Sequence, residues 1–157
     1  MPINKKEKLV YTFLMVIFMA GAMTTYNVLL AEGFSAQSIQ HAWLIFPVMF
    51  TIAFIIEWFI VAPIAFRAVG KLVKATDSEA KKGLTTALCF VLGMASLMSL
   101  VGTIIFGGFT ANIPLLWFKA FCVNFPVAFI LQVAIARPLI GSLFRSLFPI
   151  GTIVEVK

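Results

Sequence analysis

The chain has 157 residues, 62% of them hydrophobic and only 11% charged, with a mean hydropathy of +1.07. A soluble domain carries about a quarter charged residues, so this composition excludes a water-soluble globular protein and predicts an integral membrane protein. The net charge of +6 comes without a basic face interleaved with stacking groups, so nucleic acid is not an expected partner.

The first apolar stretch, residues 9–30, follows Lys5, Lys6 and Lys8. Ala20-Gly21-Ala22 imitates a signal-peptide cleavage site, but the apolar run is too long for a typical h-region. A retained helix is expected. The second helix is expected over residues 42–66, with Glu57 inside it and Pro63 near its end. The third runs over 84–106, and the fourth over 115–148 with Pro138 in the place that Pro63 holds in the second. Each apolar core has about 20 residues, enough for roughly 30 Å of hydrocarbon at 1.5 Å per residue. Helices are the natural solution because the backbone must satisfy its own hydrogen bonds in lipid. Proline at 63 and 138 removes a backbone donor, and a kinked continuation along the membrane interface is expected beyond each.

An internal repeat orders these elements. Gly33-Phe34-Ser35-Ala36 returns as Gly108-Phe109-Thr110-Ala111, and at that offset the register holds from Lys6/Lys81 to Leu72/Leu147 without a gap. Leu9/Leu84, Met19/Met94, Ala20/Ala95, Met23/Met98, Phe54/Phe129 and Pro63/Pro138 are identical pairs. The expected fold is therefore an all-α integral membrane bundle of four transmembrane helices from two tandem helical hairpins. Residues 1–75 make the first repeat and 76–157 the second. Two helices per repeat give both copies the same orientation, related by a pseudo-two-fold axis along the membrane normal.

Arg67, Lys71, Lys74, Lys81 and Lys82 crowd the middle connector, whereas residues 31–41 and 107–114 hold no Lys or Arg. The positive-inside rule then places both termini and the connector in the cytoplasm, and the two hairpin loops outside. The expected location is the bacterial cytoplasmic (inner) membrane.

Positions that agree between the copies mark the expected bundle interior. In the first helix these are Leu9, Val16, Met19, Ala20 and Met23, and in the second Phe46, Phe50, Ala53, Phe54 and Ile60, with their partners 75 residues on. Ala20 and Thr24, with Ala95 and Ser99, have the small-xxx-small spacing that lets helices approach closely. Phe54 and Phe129 join them as helix-packing residues.

Glu57 is the residue that a passive bundle does not explain. An ionisable group inside a span is costly unless paired, wetted or neutralised, and is a functional candidate by default. Its repeat partner is Gln132, of similar shape and unable to ionise. Glu57 serves as a coupling site for a proton or cation, or it staples helices by pairing with Arg137 or hydrogen-bonding Gln132. General acid catalysis needs a second group beside it, and none is evident. Walker, dinucleotide, HExxH and GxSxG motifs are missing from the sequence, so no enzyme activity is expected.

Other polar or soft side chains carry less. Cys89 and Cys122 lie in apolar stretches and read as small hydrophobes. Met15, Met19 and Met23 form a stripe read as helix packing, and His41, a lone histidine in a loop, makes a poor metal site. Tyr26, Asn27 and Asn124 suit interhelical hydrogen bonds. Trp43, Trp58 and Trp117 suit the aromatic belts. No metal or cofactor is expected.

The stretch Trp117-Phe118-Lys119-Ala120-Phe121, then Phe125-Pro126-Val127-Ala128-Phe129 and Pro138, resembles the bacterial two-helix membrane domain known as domain of unknown function 2798. The first copy has the same outline in Lys5-Lys6, Met19, Met23, Gly33, Trp43, Phe46, Ala53-Phe54 and Pro63, with Pro47 in place of Cys122 and Thr51 in place of Pro126. The resemblance implies a tandem fusion over residues 5–148 and carries no activity with it. Two functional classes follow from the residues. One is a small proton- or ion-coupled transporter of an unknown small molecule or ion, and the other a non-transporting accessory, immunity or scaffold protein. Beyond the lipid bilayer, a homodimer is an expected partner arrangement, since four helices leave little room for a pathway.

Overall fold

The computed structural model describes residues 5–74 and 76–149, with the side chains of all but Lys5 and Lys8. The outer ends of the repeat ranges, 1–4 and 150–157, lie outside the described residues. Regular structure among the described residues is all helical. It comprises α1 (Lys5–Glu32), α2 (Ala36–Ile56), a π-helical segment (Glu57–Val61), α3 (Ala62–Leu72), α4 (Glu79–Gly107), α5 (Ile113–Ile130), a second π-helical segment (Leu131–Ala136) and α6 (Arg137–Leu147).

Four helical stretches are long and apolar enough to cross a membrane: Leu9–Glu32, Ala36–Leu72, Glu79–Gly107 and Ile113–Leu147. The second and fourth have 37 and 35 residues, roughly 50 Å of helix against roughly 30 Å of hydrocarbon. The surplus is α3 and α6, which continue as helix past Pro63 and Pro138. Exposed Leu44, Phe59, Ile64, Leu92 and Ile130, among many others, present the apolar exterior that lipid requires and water forbids.

Helix ends follow the repeat motif. Gly33 (φ 85°) and Gly108 (φ 67°) occupy the left-handed region that glycine tolerates without strain. Their N–H groups donate to Leu29 O and Ile104 O, each at 3.0 Å, closing α1 and α4 in the same way. Ser35 Oγ then accepts from Ser38 N at 3.0 Å and starts α2. The hairpin turns are thus shorter than expected. His41 sits inside α2 rather than in a loop, and its ring pairs with Glu32 at the end of α1. The motif's phenylalanines, Phe34 and Phe109, are 88% and 87% exposed at the two turns.

Between the repeats, Ser78 caps α4 by accepting from Lys81 N at 3.3 Å. Asp77 accepts from Lys81 Nζ and from Lys74 N, each at 2.8 Å. The Lys81 hydrogen bond, seconded by that of Lys74, holds the Asp77 carboxyl below its ordinary range. What this turn contributes is present at neutral pH and is lost as pH falls through that lowered value.

Past the helix starts, where Glu7, Ser38 and Ala42 are also buried, the buried residues advance by fours. In α1 they are Val16, Ala20, Thr24 and Val28, and in α4 Gly83, Ala87, Val91, Ala95 and Ser99. Along α2 and α3 they are Met49, Ala53, Glu57, Val61 and Ala65. Along α5 and α6, Asn124, Ala128, Ala136, Ile140 and Phe144 keep the same step. Such ridges run obliquely to the helix axis. That obliquity corrects part of the interior expected from the sequence. Leu9 and Leu84 are 43% and 49% exposed, because the ridge has moved off their face by the time it reaches the helix start. Ile60 and Ile135 are 43% and 48% exposed, each lying one residue before a ridge position (Val61 and Ala136).

The chain forms two compact units that do not coincide with its repeats. The first comprises the described parts of Met1–Thr51 and Val133–Lys157, and the second is Ile52–Gln132. In the second unit α3 packs along α4, and α4 pairs with α5. In the first unit α1 meets α2 where Gly21 faces the Phe46 ring and where Phe13 meets Phe50 edge-on at 5.4 Å. There α6 also packs on α1. Phe144, 1% exposed, meets Tyr11 edge-on at 5.6 Å, and the Arg145 guanidinium lies 5.4 Å from the Phe144 ring centre. Arg145 Nη1 stands 3.8 Å from Oε2 of Glu7, itself 1% exposed.

Removing the cation while leaving that carboxylate buried should be destabilising. Arg145→Ala is expected to cost about 2 kcal/mol, less than a fully buried pair would, because Arg145 keeps 29% of its side chain exposed. Glu7→Leu combined with Arg145→Leu should recover most of the loss. Thermal melting in detergent reads both.

Candidate functional site

The site is built on the helix that carries Glu57. Pro63 has no N–H, and a proline ring clashes with the carbonyl four residues back in an α-helix. Just before it the chain widens to π geometry, and Ala62 N–H donates to Glu57 O, five residues back. The second repeat does the same before Pro138, over Leu131–Ala136. Such π-helical turns are rare and frequently mark functional sites. Glu57 opens the first of them.

Its side chain is 7% exposed. It stands on the buried ridge between Ala53 and Val61. None of the ion pairs among the described residues involves Glu57, and its carboxylate makes no side-chain hydrogen bond there. Trp58, next in sequence, stacks on Phe54 with centroids 6.3 Å apart and planes 14° from parallel. Gln132 is half-buried in the other π-helical segment, and Arg137 half-buried in the first turn of α6. Glu57 and Gln132 belong to the second unit and Arg137 to the first.

One π-turn beyond Glu57, Val61 enters a groove between α3 and α4. Ile60, Val61, Ile64 and Ala65 form one wall, and Cys89, Leu92, Gly93, Ser96 and Leu97 the other, around about 200 Å³. A Cβ at Gly93 would lie 3.0 Å from Val61 Cγ1, so glycine there is what permits the close approach. The same position in the first repeat is Phe18.

A second polar feature lies between α4 and α5. Asn124 Nδ2 donates to Ser99 Oγ at 3.2 Å, both side chains being buried, while Asn124 Oδ1 has no hydrogen-bond partner among the described residues. Trp117 Nε1 donates to Ser96 O at 2.8 Å. The first repeat has Thr24 and Met49 at the positions of Ser99 and Asn124, both buried. Of the residues expected to pack helices, Ala20, Thr24, Ala95 and Ser99 are 8%, 7%, 7% and 3% exposed. Phe54 and Phe129 are half-buried, Phe129 stacked against Phe125 at 6.1 Å. Among the described residues no three His, Cys, Asp or Glu side chains gather to hold a metal ion.

Sequence reasoning passed over Glu7, and took Gly93 only as one of several small residues beside the packing face. Both differ from their repeat partners, Lys82 and Phe18. That mismatch was the available signal, and it also marked out Glu57.

Four long apolar helices with a lipid-compatible exterior define a multi-pass integral membrane protein. Residues 4–73 and 80–148 each match the family described as Domain of unknown function (DUF2798), and the chain belongs to that family as a tandem pair. No curated protein and no solved structure matches it.

The Asn124–Ser99 contact can be tested through the other copy. Ser99→Ala should cost about 1 kcal/mol by stranding the buried amide. Importing the first repeat's pair, Ser99→Thr with Asn124→Met, should be neutral or stabilising because it removes the amide altogether. Melting temperatures of the two variants give the comparison.

Proposed function

We propose that this protein is a small proton- or ion-coupled membrane transporter in which Glu57 is the coupling carboxylate. The observation that carries the proposal is a carboxylate 7% exposed inside a membrane span, at a π-helical turn, with no ion-pair or side-chain hydrogen-bond partner among the described residues. Intramembrane carboxylates of this kind serve proton and ion pathways, because one titratable group that exchanges a proton or cation is enough to couple a gradient to a movement. Gln132, its counterpart, would keep the shape of the site without titrating, so a single coupling group serves the whole chain. No catalytic chemistry is part of the proposal.

A bacterial inner-membrane location, with both termini and the connector at 73–78 in the cytoplasm, accompanies this reading and rests on the clustering of Arg67, Lys71, Lys74, Lys81 and Lys82. A homodimer would supply the walls of a path that four helices hardly enclose.

The apolar lining of the groove beside Val61 favours a second reading. An accessory, immunity or scaffold protein would use such a surface for association and would keep Glu57 as a structural group.

Trp58 offers a reporter beside the carboxylate. With Trp43→Phe and Trp117→Phe in place, its fluorescence in vesicles should change with pH. Adding Glu57→Gln should flatten that titration and leave the melting temperature unchanged. A fluorescence signal that ignores pH, or a pH response that survives Glu57→Gln, would remove the coupling role. A large drop in melting temperature on Glu57→Gln would assign Glu57 to the structural reading.

A further inference from the structure

We infer that the groove between α3 and α4 is a seat for one anionic phospholipid, its acyl chain against the apolar walls and its phosphate on Arg67 and Lys71. The inference is independent of any role for Glu57.

Ile60, Ile64, Arg67 and Lys71 follow one another at intervals of four, three and four residues, which places them on one face of the helix. All four are exposed, Ile60 at 43% and Ile64 at 61%. The face is therefore a continuous stripe that turns from apolar to basic as the helix runs toward Leu72. The groove opens at the apolar end of that stripe, where Ile60 and Ile64 stand across from Leu92, Gly93 and Ser96. Its lining is hydrocarbon but for the Cys89 thiol and the Ser96 hydroxyl, and its volume of about 200 Å³ suits part of an acyl chain. Gly93 opens it, and a phenylalanine stands at that position in the first repeat.

Charge selects the headgroup. Neither Arg67 nor Lys71 takes part in an ion pair among the described residues, and α3 contains no acidic residue. The carboxylates that follow α3 in sequence are engaged elsewhere, Asp77 by Lys81 at 2.8 Å and Glu79 by Lys82 at 2.9 Å. Two cations at the membrane interface with their counter-charges committed elsewhere attract lipid phosphate and its anionic neighbours, and a guanidinium can grip a phosphate with two donors. A zwitterionic lipid would fill the groove equally well but would leave the excess positive charge uncompensated. The second repeat has Ser142 and Ser146 where the first has Arg67 and Lys71, so the basic half of the stripe belongs to one copy alone.

The test uses the full chain in vesicles, with Trp43, Trp58 and Trp117 changed to Phe and a single reporter introduced by Ile64→Trp. Brominated phosphatidylglycerol and brominated phosphatidylcholine then compete to quench that reporter. The expected result is a relative association constant at least about threefold in favour of phosphatidylglycerol. Arg67→Gln with Lys71→Gln should abolish that preference. Both side chains are exposed and outside every described ion pair, so the fold should survive their loss. Ser96→Phe, which fills the groove, should reduce quenching by both lipids. Equal quenching by the two lipids overturns the inference, as does a preference that outlasts the double glutamine variant. Quenching that Ser96→Phe does not reduce removes the groove as the acyl seat.

Discussion

Close approach of helix backbones along ridges of small side chains is the constraint on which this structure depends. Between helices in lipid the hydrophobic effect offers little net drive, because a side chain leaves one apolar environment for another. What remains is dispersion, which requires near contact over long lengths, and interhelical hydrogen bonding. Gly83, Ala87, Val91, Ala95 and Ser99 supply such a surface along α4, and Val16, Ala20, Thr24 and Val28 along α1. The Gly93 contact with Val61 shows the tolerance involved: a single added methyl group would sit 3.0 Å from its neighbour. Glu57 occupies a position on one of these ridges, and that is why its carboxylate is buried.

The paired prolines set the second constraint. A proline ring in mid-helix must be accommodated, and here both copies accommodate it by widening the preceding turn to π geometry. The wider turn keeps the backbone paired in a medium that penalises every unpaired group. It also lets the helix continue past the proline, so that α3 and α6 carry their basic residues beyond the apolar span. The π-helical turn and the helical continuation beyond it thus follow from one residue type at one repeated position.

Differences between the copies are informative because the shared framework cancels. Glu57 corresponds to Gln132 in the other copy, Asn124 to Met49, Gly93 to Phe18, and Glu7 to Lys82. Each substitution changes charge, hydrogen-bonding capacity or bulk at a place where the framework is otherwise kept. Arg145 and Glu7 tie the end of the second repeat to the start of the first in one unit, whereas the corresponding positions in the other repeat, Gly70 and Lys82, could form no such pair.

The sequence by itself determined the membrane class, the four spans, the tandem repeat and the family, because hydropathy over 20 residues and self-similarity are properties of the chain alone. It also singled out Glu57, since a carboxylate among apolar residues is visible without coordinates. Helix ends were less legible: His41 and the edges of the hairpin turns became helical because the glycine caps at 33 and 108 allow the next helix to begin within a few residues. Only the tertiary structure decided which face of each helix is buried. Positions conserved between copies identified Val16 and Ala20 but also Leu9 and Ile60, and a ridge inclined to the axis separates the first pair from the second. The same holds for the regrouping of residues 133–149 with residues 5–51 rather than with the rest of their own repeat. Which helices meet is set by the complementary fit of ridges far apart in sequence, and that fit exists only once the chain has folded.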